Sequence, residues 1–499
     1  MRRSLLIFIL LLTCYAYVLP RWSDWNQNSR LNLVLAMVDD GTVSIDRYVA
    51  NTGDYALYNG RAYTDKPPGL SFLALPVYMA LGPALSIPPV REHLEAIGSG
   101  TAFQSTLRED GSGLRADKLR FALVQYALTL VVVASAAAAL GVIFYLTLLR
   151  LGVAPSLAAL GALAYGLGTS AAPYAGNFYS HQVVAALLFG AFFVAWPRDD
   201  EAGRPAYVRG LLCGLLLGWA VISEYPVVLP AALIGLYALA RRGWRWIGPL
   251  ALGGALPLAL LIVYDLVAFG TPLPIGYAHS ALWQEQHQTG FMSITAPRAE
   301  ALWGLTFGTF RGLFVRVPWL LLALPAAIVW WRGGARRAEW WLLILAPLSL
   351  ILFYGSSAMW WGGFAAGPRY IVPIIPFLAL SAAWLAARLW AQPVGRAAVI
   401  ALVIGSVTLV WVESVAQQLF PSDAIRNTWT GYVFPAWASG DIARNLGMAL
   451  GLAGAMSLIP LLLATLALAT LMVIPANQRR SRPSATVGVN TALPNEDGI

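Results

Sequence analysis

Thirteen apolar segments recur along the chain, near 4–20, 69–87, 119–149, 155–175, 182–197, 209–223, 226–240, 248–268, 313–331, 340–357, 370–390, 397–417 and 446–474. Most approach the roughly 20 residues that a helix needs to cross a bilayer. Backbone polar groups in hydrocarbon must be satisfied within the segment, so runs of this kind dictate helices. The expected fold class is an all-α polytopic membrane protein with about 11–13 transmembrane helices. Charged residues make up 11% of the chain, against about 25% in soluble domains. The net charge of +9 calls for no nucleic-acid partner, because arginines at cytoplasmic helix ends produce it. Cys14 and Cys213 both lie inside apolar runs, which argues against a disulfide framework or a metal site.

Arginine sets the topology. Short basic loops mark the cytoplasm, and those at Arg150, Arg198–Arg209, Arg241–Arg245, Arg332–Arg337, Arg396 and Arg479–Arg482 qualify. Between them, 176–181, 223–225, 269–312, 356–369 and 417–445 fall on the opposite face. Met1-Arg2-Arg3 places the N-terminus inside and residues 20–68 outside. Parity then requires one segment not to cross. Segment 69–87, interrupted by Pro76 and Pro83, is the candidate for a re-entrant or interfacial helix. Residues 1–474 read as a single integral membrane domain, with 20–68 and 269–312 as its larger outer loops. The polar residues 475–499 read as a disordered cytoplasmic tail.

The first outer loop is where chemistry concentrates. It carries Asp24, Asp39, Asp40, Asp46, Asp54 and Asp65. Within it, SRLNLVLAMVDD places Leu31, Val34, Leu35 and Val38 on one helical face before Gly41, which predicts an amphipathic helix along the membrane surface. A carboxylate in such a loop suits a general base, although aspartates also cap turns. The loop ends in DKPPG, and its Lys66 is one of two lysines beside 31 arginines. A compact ammonium near the headgroups is a natural partner for a lipid phosphate; a snorkelling role is the plainer alternative. Arg369, with Tyr370 beside it, breaks the arginine-inside pattern among small glycines and can approach an anion. Arg30, Tyr63, Asp65, His181, Glu224 and His279 complete the candidate substrate-binding set. His279, Glu285 and His287 have no metal-ligand spacing.

These motifs resemble the GT-C membrane glycosyltransferases, in particular the branch of protein O-mannosyltransferases and aminoarabinose transferase. The resemblance rests on a short N-terminal anchor, an acidic outer loop with a surface helix, DKPPG, and the later Gly367-Pro368-Arg369-Tyr370-Ile-Val-Pro-Ile-Ile-Pro376. It implies inverting transfer of a sugar from a polyprenyl-phosphate donor to an acceptor hydroxyl at the outer face of the cytoplasmic membrane. The acceptor is a lipid, a glycan or a protein. No cofactor is expected, and a divalent metal requirement is left open. Lys66 would hold the departing lipid phosphate, with Arg369 and Tyr370 assisting. Where the family carries an acidic pair, this chain has Asn26-Gln27-Asn28. The base then falls to Asp46 or Asp54, with Asp24 third. A transporter or flippase, or a polymerase or ligase for lipid-linked saccharides, is the competing reading. The transporter would place charge pairs deep in mid-helix, where Asp265 and Glu413 are the candidates.

Overall fold

The computed structural model describes residues 1–99, 119–197, 206–273, 276–282, 289–290, 293–334 and 336–473. The proposed tail and the Glu285 and His287 positions lie outside them. Apart from a two-stranded hairpin, the named elements are helices. Among the described residues seven are long and apolar enough to cross a membrane, or eight if a bent pair at 69–99 is one span: Leu119–Arg150, Ala206–Ser223, Trp244–Phe269, Arg337–Gly355, Arg369–Leu389, Pro393–Ser414 and Gly454–Met472. Fewer helices reach spanning length than the 11–13 expected, because several apolar segments form shorter helices. Pro155–Leu167, Ser180–Ala195 and Pro318–Arg332 are among them. One continuous apolar core runs from Ile7 in α1 (Arg2–Tyr17) to Met472 near the last described residue.

The arginine-rich loops converge at one end of the bundle. Arg150 donates to Phe193 O at 2.9 Å, Arg209 to Val194 O at 2.6 Å, and Arg242 to Ala195 O at 2.8 Å. Arg336 reaches Arg150 O at 3.2 Å. The other loops converge at the opposite end. Gln418 donates to Pro20 O, the Arg21 amide to Asn177 Oδ1, and Ala56 bridges to Ser280. Residues 20–68 and the 276–282 part of the 269–312 loop therefore share one end. That end also holds arginines, contrary to the simple alternation. Arg21, Arg30, Arg311, Arg316 and Arg369 are all buried there. Carbonyls or carboxylates receive their charge; Arg316 Nε, for instance, lies 2.8 Å from Glu413 Oε2.

The segment that parity singled out, α3 (Gly69–Leu85), bends by 86° into α4 (Pro88–Ser99), a geometry common to broken spans and re-entrant loops. It lies alongside α2 (Trp25–Asp39): Ser71 Oγ donates to Arg30 O at 2.8 Å, and Tyr78 Oη donates to Asp39 at 2.8 Å. Arg120, at the start of the next long helix, donates to Tyr78 Oη at 3.2 Å. The start of that long helix lies at the loop end, where Trp22 Nε1 also donates to Ala122 O at 3.3 Å.

The expected surface helix is not a surface helix. In α2, Asn26 through Ala36 are all buried. Leu31, Val34 and Leu35 pack with α3 and Phe178, while Leu33 and Ala36 pack under the hairpin. The polar face is saturated by protein rather than by water. Gln27 accepts from the Phe178 amide at 2.7 Å, and Asn28 donates to Trp22 O and Asn51 O. Gln27 and Asn28 are therefore framework.

Candidate active site

Three buried polar knots are packed beside one another at the loop end. The first centres on Lys66. A hairpin of β1 (Ala56–Tyr58) and β2 (Arg61–Tyr63) delivers the chain to it, closed by Asn59-Gly60 with both residues at positive φ. This is the two-residue turn that suits strand twist, and the NG pair was its unread sequence signal. Thr64 Oγ1 then accepts the Lys66 amide and bonds Ser29 Oγ at 2.8 Å, which ties the loop to α2. Beyond Pro67-Pro68, Gly69 abuts the end of helix Ala206–Ser223. A Cβ there would strike Ser223 Oγ and sit 2.8 Å from the Ile222 backbone.

Lys66 Nζ lies 3.0 Å from Asp54 Oδ2 and 3.1 Å from Asp65 Oδ2, and the lysine is 9% exposed. Burial alone would lower its pKa; the two carboxylates outweigh that and hold it above its usual value. The ammonium expected for a lipid phosphate is thus shared by two carboxylates. A compact point charge can serve two carboxylates at once, which a planar guanidinium does less readily. Asp65 Oδ2 also accepts from Ser280 Oγ at 3.4 Å, whereas its Oδ1 is buried with no partner. Ser280 carried no sequence signal.

The second knot gathers on Glu224 Oε1. Arg30 donates to it at 2.8 Å, Ser180 Oγ donates to it, and His181 Nδ1 faces it at 3.5 Å. Arg30 also donates to Pro67 O at 3.1 Å, linking this knot to the Lys66 turn. The third is Asp24, which caps α2 through the Gln27 amide and accepts the Tyr179 hydroxyl at 2.6 Å. Burial raises its pKa above the ordinary carboxylate value, more than the Tyr179 bond and Arg369 lower it.

Arg369 binds the three together, since its charge is felt at Asp24, Lys66, Glu224 and His181. Its guanidinium sits 5.6 Å from the Tyr179 ring and 5.1 Å from the Tyr370 ring. Gly362, at φ 75°, leaves room for Arg369 Nε, which would be 3.1 Å from a Cβ there. Tyr370 stacks on Tyr354 at 4.5 Å. Three cations (Lys66, Arg30, Arg369) therefore face three carboxylates (Asp54, Asp65, Glu224), with Asp24 beside them.

Not every candidate joins this chamber. Asp46 is exposed and pins a turn, accepting the Ala62 amide at 2.7 Å and Ser44 Oγ at 2.6 Å. Tyr63 and His279 are spent on Phe269, at ring separations of 5.2 and 5.8 Å. Among the described residues no group of three or more His, Cys, Asp or Glu is placed to hold a metal ion.

A bundle of membrane-length helices with a sharply bent pair and a buried charge cluster beneath the first loop defines an all-α polytopic membrane protein. In particular, the fold is similar to that of ArnT from Cupriavidus metallidurans bound to undecaprenyl phosphate. That likeness has 18% identity, covers 94% of this chain and 73% of that one, and has a TM-score of 0.52. The apo state of the same ArnT gives 17% identity, 94% and 74% coverage, and a TM-score of 0.50. No protein-family model and no curated protein matches the chain by sequence.

Proposed function

We propose that the chamber transfers a hexose or pentose from a polyprenyl-phosphate carrier to an acceptor hydroxyl, with inversion, at the outer face of the cytoplasmic membrane. The observation that carries this reading is Lys66, a buried ammonium held 3.0 Å from Asp54 beneath the first loop. A base and a cation for the leaving phosphate thus sit side by side. The shared fold with an ArnT structure bound to undecaprenyl phosphate supports a lipid carrier of that class.

Asp54 is the base. Its carboxylate takes the acceptor's O–H proton as that oxygen forms a bond to the anomeric carbon. The bond from that carbon to the phosphate oxygen breaks, and its electron pair leaves on the phosphate. Lys66 turns from one of its carboxylates to the phosphate oxygen, where its charge counts most as the bond breaks. Arg369 adds a second positive charge. Asp46, exposed and committed to its turn, is a poorer base, and Asp24 is committed to Tyr179. Glu413 lies one residue from the end of helix Pro393–Ser414 and is paired with Arg316, an arrangement unlike a mid-membrane transport relay.

The test is release of undecaprenyl phosphate from undecaprenyl-phosphate sugars by the purified protein in nanodiscs, with candidate acceptors added. Asp54→Asn should lower turnover by about 100- to 10,000-fold while the lipid phosphate still binds. Movement of intact carriers across the bilayer with no release would replace this reading by the flippase one.

A further inference from the structure

Two buried polar atoms of the chamber are left without partners: His181 Nε2 and Arg369 Nε. The two residues are 2% and 8% exposed. They share the same aromatic walls. The His181 ring stacks along Tyr179 at 5.8 Å and meets Tyr370 edge-on at 6.1 Å. The Arg369 guanidinium lies over those same two rings. Tyr174 closes a further side, 5.8 Å from the imidazole.

The hydrogen-bonding character of each atom follows from its surroundings. His181 Nδ1 faces the acceptor-only oxygen of Glu224, so Nδ1 carries the hydrogen. That oxygen is already engaged by Arg30 and Ser180, and Arg369 stands nearby, so a second positive charge on the imidazole is unfavourable. Nε2 therefore offers a lone pair, and Arg369 Nε offers an N–H. A ligand that completes both must donate to the one and accept from the other. A hydroxyl does so. A carboxylate or phosphate oxygen would meet the Nε2 lone pair, and an ammonium would meet Arg369. Tyrosine faces around such a pair suit the apolar C–H faces of a sugar ring.

We propose that His181 Nε2 and Arg369 Nε form a hydroxyl-binding subsite for the transferred sugar, with Glu224 and Arg30 orienting the imidazole. This rests on the transfer reading above and adds to it the part of the donor that is recognised. Ordering the sugar here separates the phosphate, held near Lys66, from the ring, held by His181.

The experiment measures binding to the full-length protein in nanodiscs. The probes are undecaprenyl phosphate and its mannose, glucose, galactose and arabinose phosphodiesters. At least one sugar-bearing lipid should bind wild type more tightly than the bare lipid. His181→Phe keeps the ring's shape but lacks the lone pair. It should cut that lipid's affinity by about 2- to 10-fold and leave bare undecaprenyl phosphate binding unchanged, which also reports an intact fold. His181→Gln, whose amide oxygen can accept, should restore part of the difference. With a deoxy series of the preferred sugar, one position should lose affinity in wild type and lose nothing further in His181→Phe. The inference is overturned if every sugar-bearing lipid binds wild type no better than bare lipid, or if His181→Phe retains the full sugar increment. Failure of bare lipid phosphate to bind at all would instead count against the transfer reading.

Discussion

Lys66 is a lysine because two carboxylates share it. Removing its charge leaves Asp54 and Asp65 facing each other in a buried site. Loss of one partner of a buried pair costs about 3–5 kcal/mol, so Lys66→Met should lower the melting temperature markedly. Adding Asp65→Asn removes part of the repulsion and should recover much of that loss without recovering turnover, as thermal melts and release assays on both variants will show. A snorkelling lysine would tolerate Lys66→Met and gain nothing from the second change. Asp24 makes a separate prediction with pH. Its folded pKa lies above the ordinary 3.8 because burial disfavours its charge. Its stabilising contribution is therefore full below about pH 3.8 and is lost as pH rises through the raised folded value. Relative to Asp24→Asn, wild type should be most stable near pH 4 and lose that advantage towards pH 7, read as the difference between their melting temperatures. The sequence made these residues visible one at a time. Lys66 stood out by rarity and the aspartates by number. Nothing in their spacing showed that Asp54 and Asp65 would neutralise the lysine, because that depends on where the hairpin folds back.

At the scale of elements, the glycine of DKPPG has a steric task. Gly69 lets the first turn of α3 press against the end of helix Ala206–Ser223, directly before Glu224. That helix is itself seated by glycines: a Cβ on Gly214 would collide with Leu250 O, and one on Gly253 with Leu211 O. Close glycine contacts of this kind are how helices approach without a hydrophobic force between them. Gly69→Ala should cost about 1–3 kcal/mol by overpacking. It should also impair turnover beyond its effect on stability, because it pushes Ser223 and hence Glu224. Comparing release rates at equal folded fraction checks this. Apolar runs made the helices legible, and Pro76 with Pro83 marked the segment that bends sharply at its end. The burial of α2 on both faces was hidden, since a polar stripe of Asn, Gln, Ser and Arg reads the same whether water or protein satisfies it.

For the whole molecule, the two convergent ends predict accessibility. Cys14 and Cys213 are 3% and 0% exposed, so the native chain is a silent background for labelling. Leu57→Cys and Ala424→Cys at the loop end should react with an impermeant maleimide on intact cells. Trp244→Cys, at a position 79% exposed beside Arg242 at the other end, should react only after lysis. Reaction of all three from outside would refute the topology. The chamber also has a history in time, since its members are far apart in the chain. Arg30 and Glu224 are separated by 194 residues. At a synthesis rate of about 5–20 residues per second, Arg30 waits roughly 10–40 s for its carboxylate. Throughout that interval the ribosome has delivered a cation destined for burial without the carboxylate that pairs with it. A chain cut short before Glu224, or carrying an apolar residue there, keeps that mark permanently, and the membrane's proteolytic surveillance can read it as an unfinished protein.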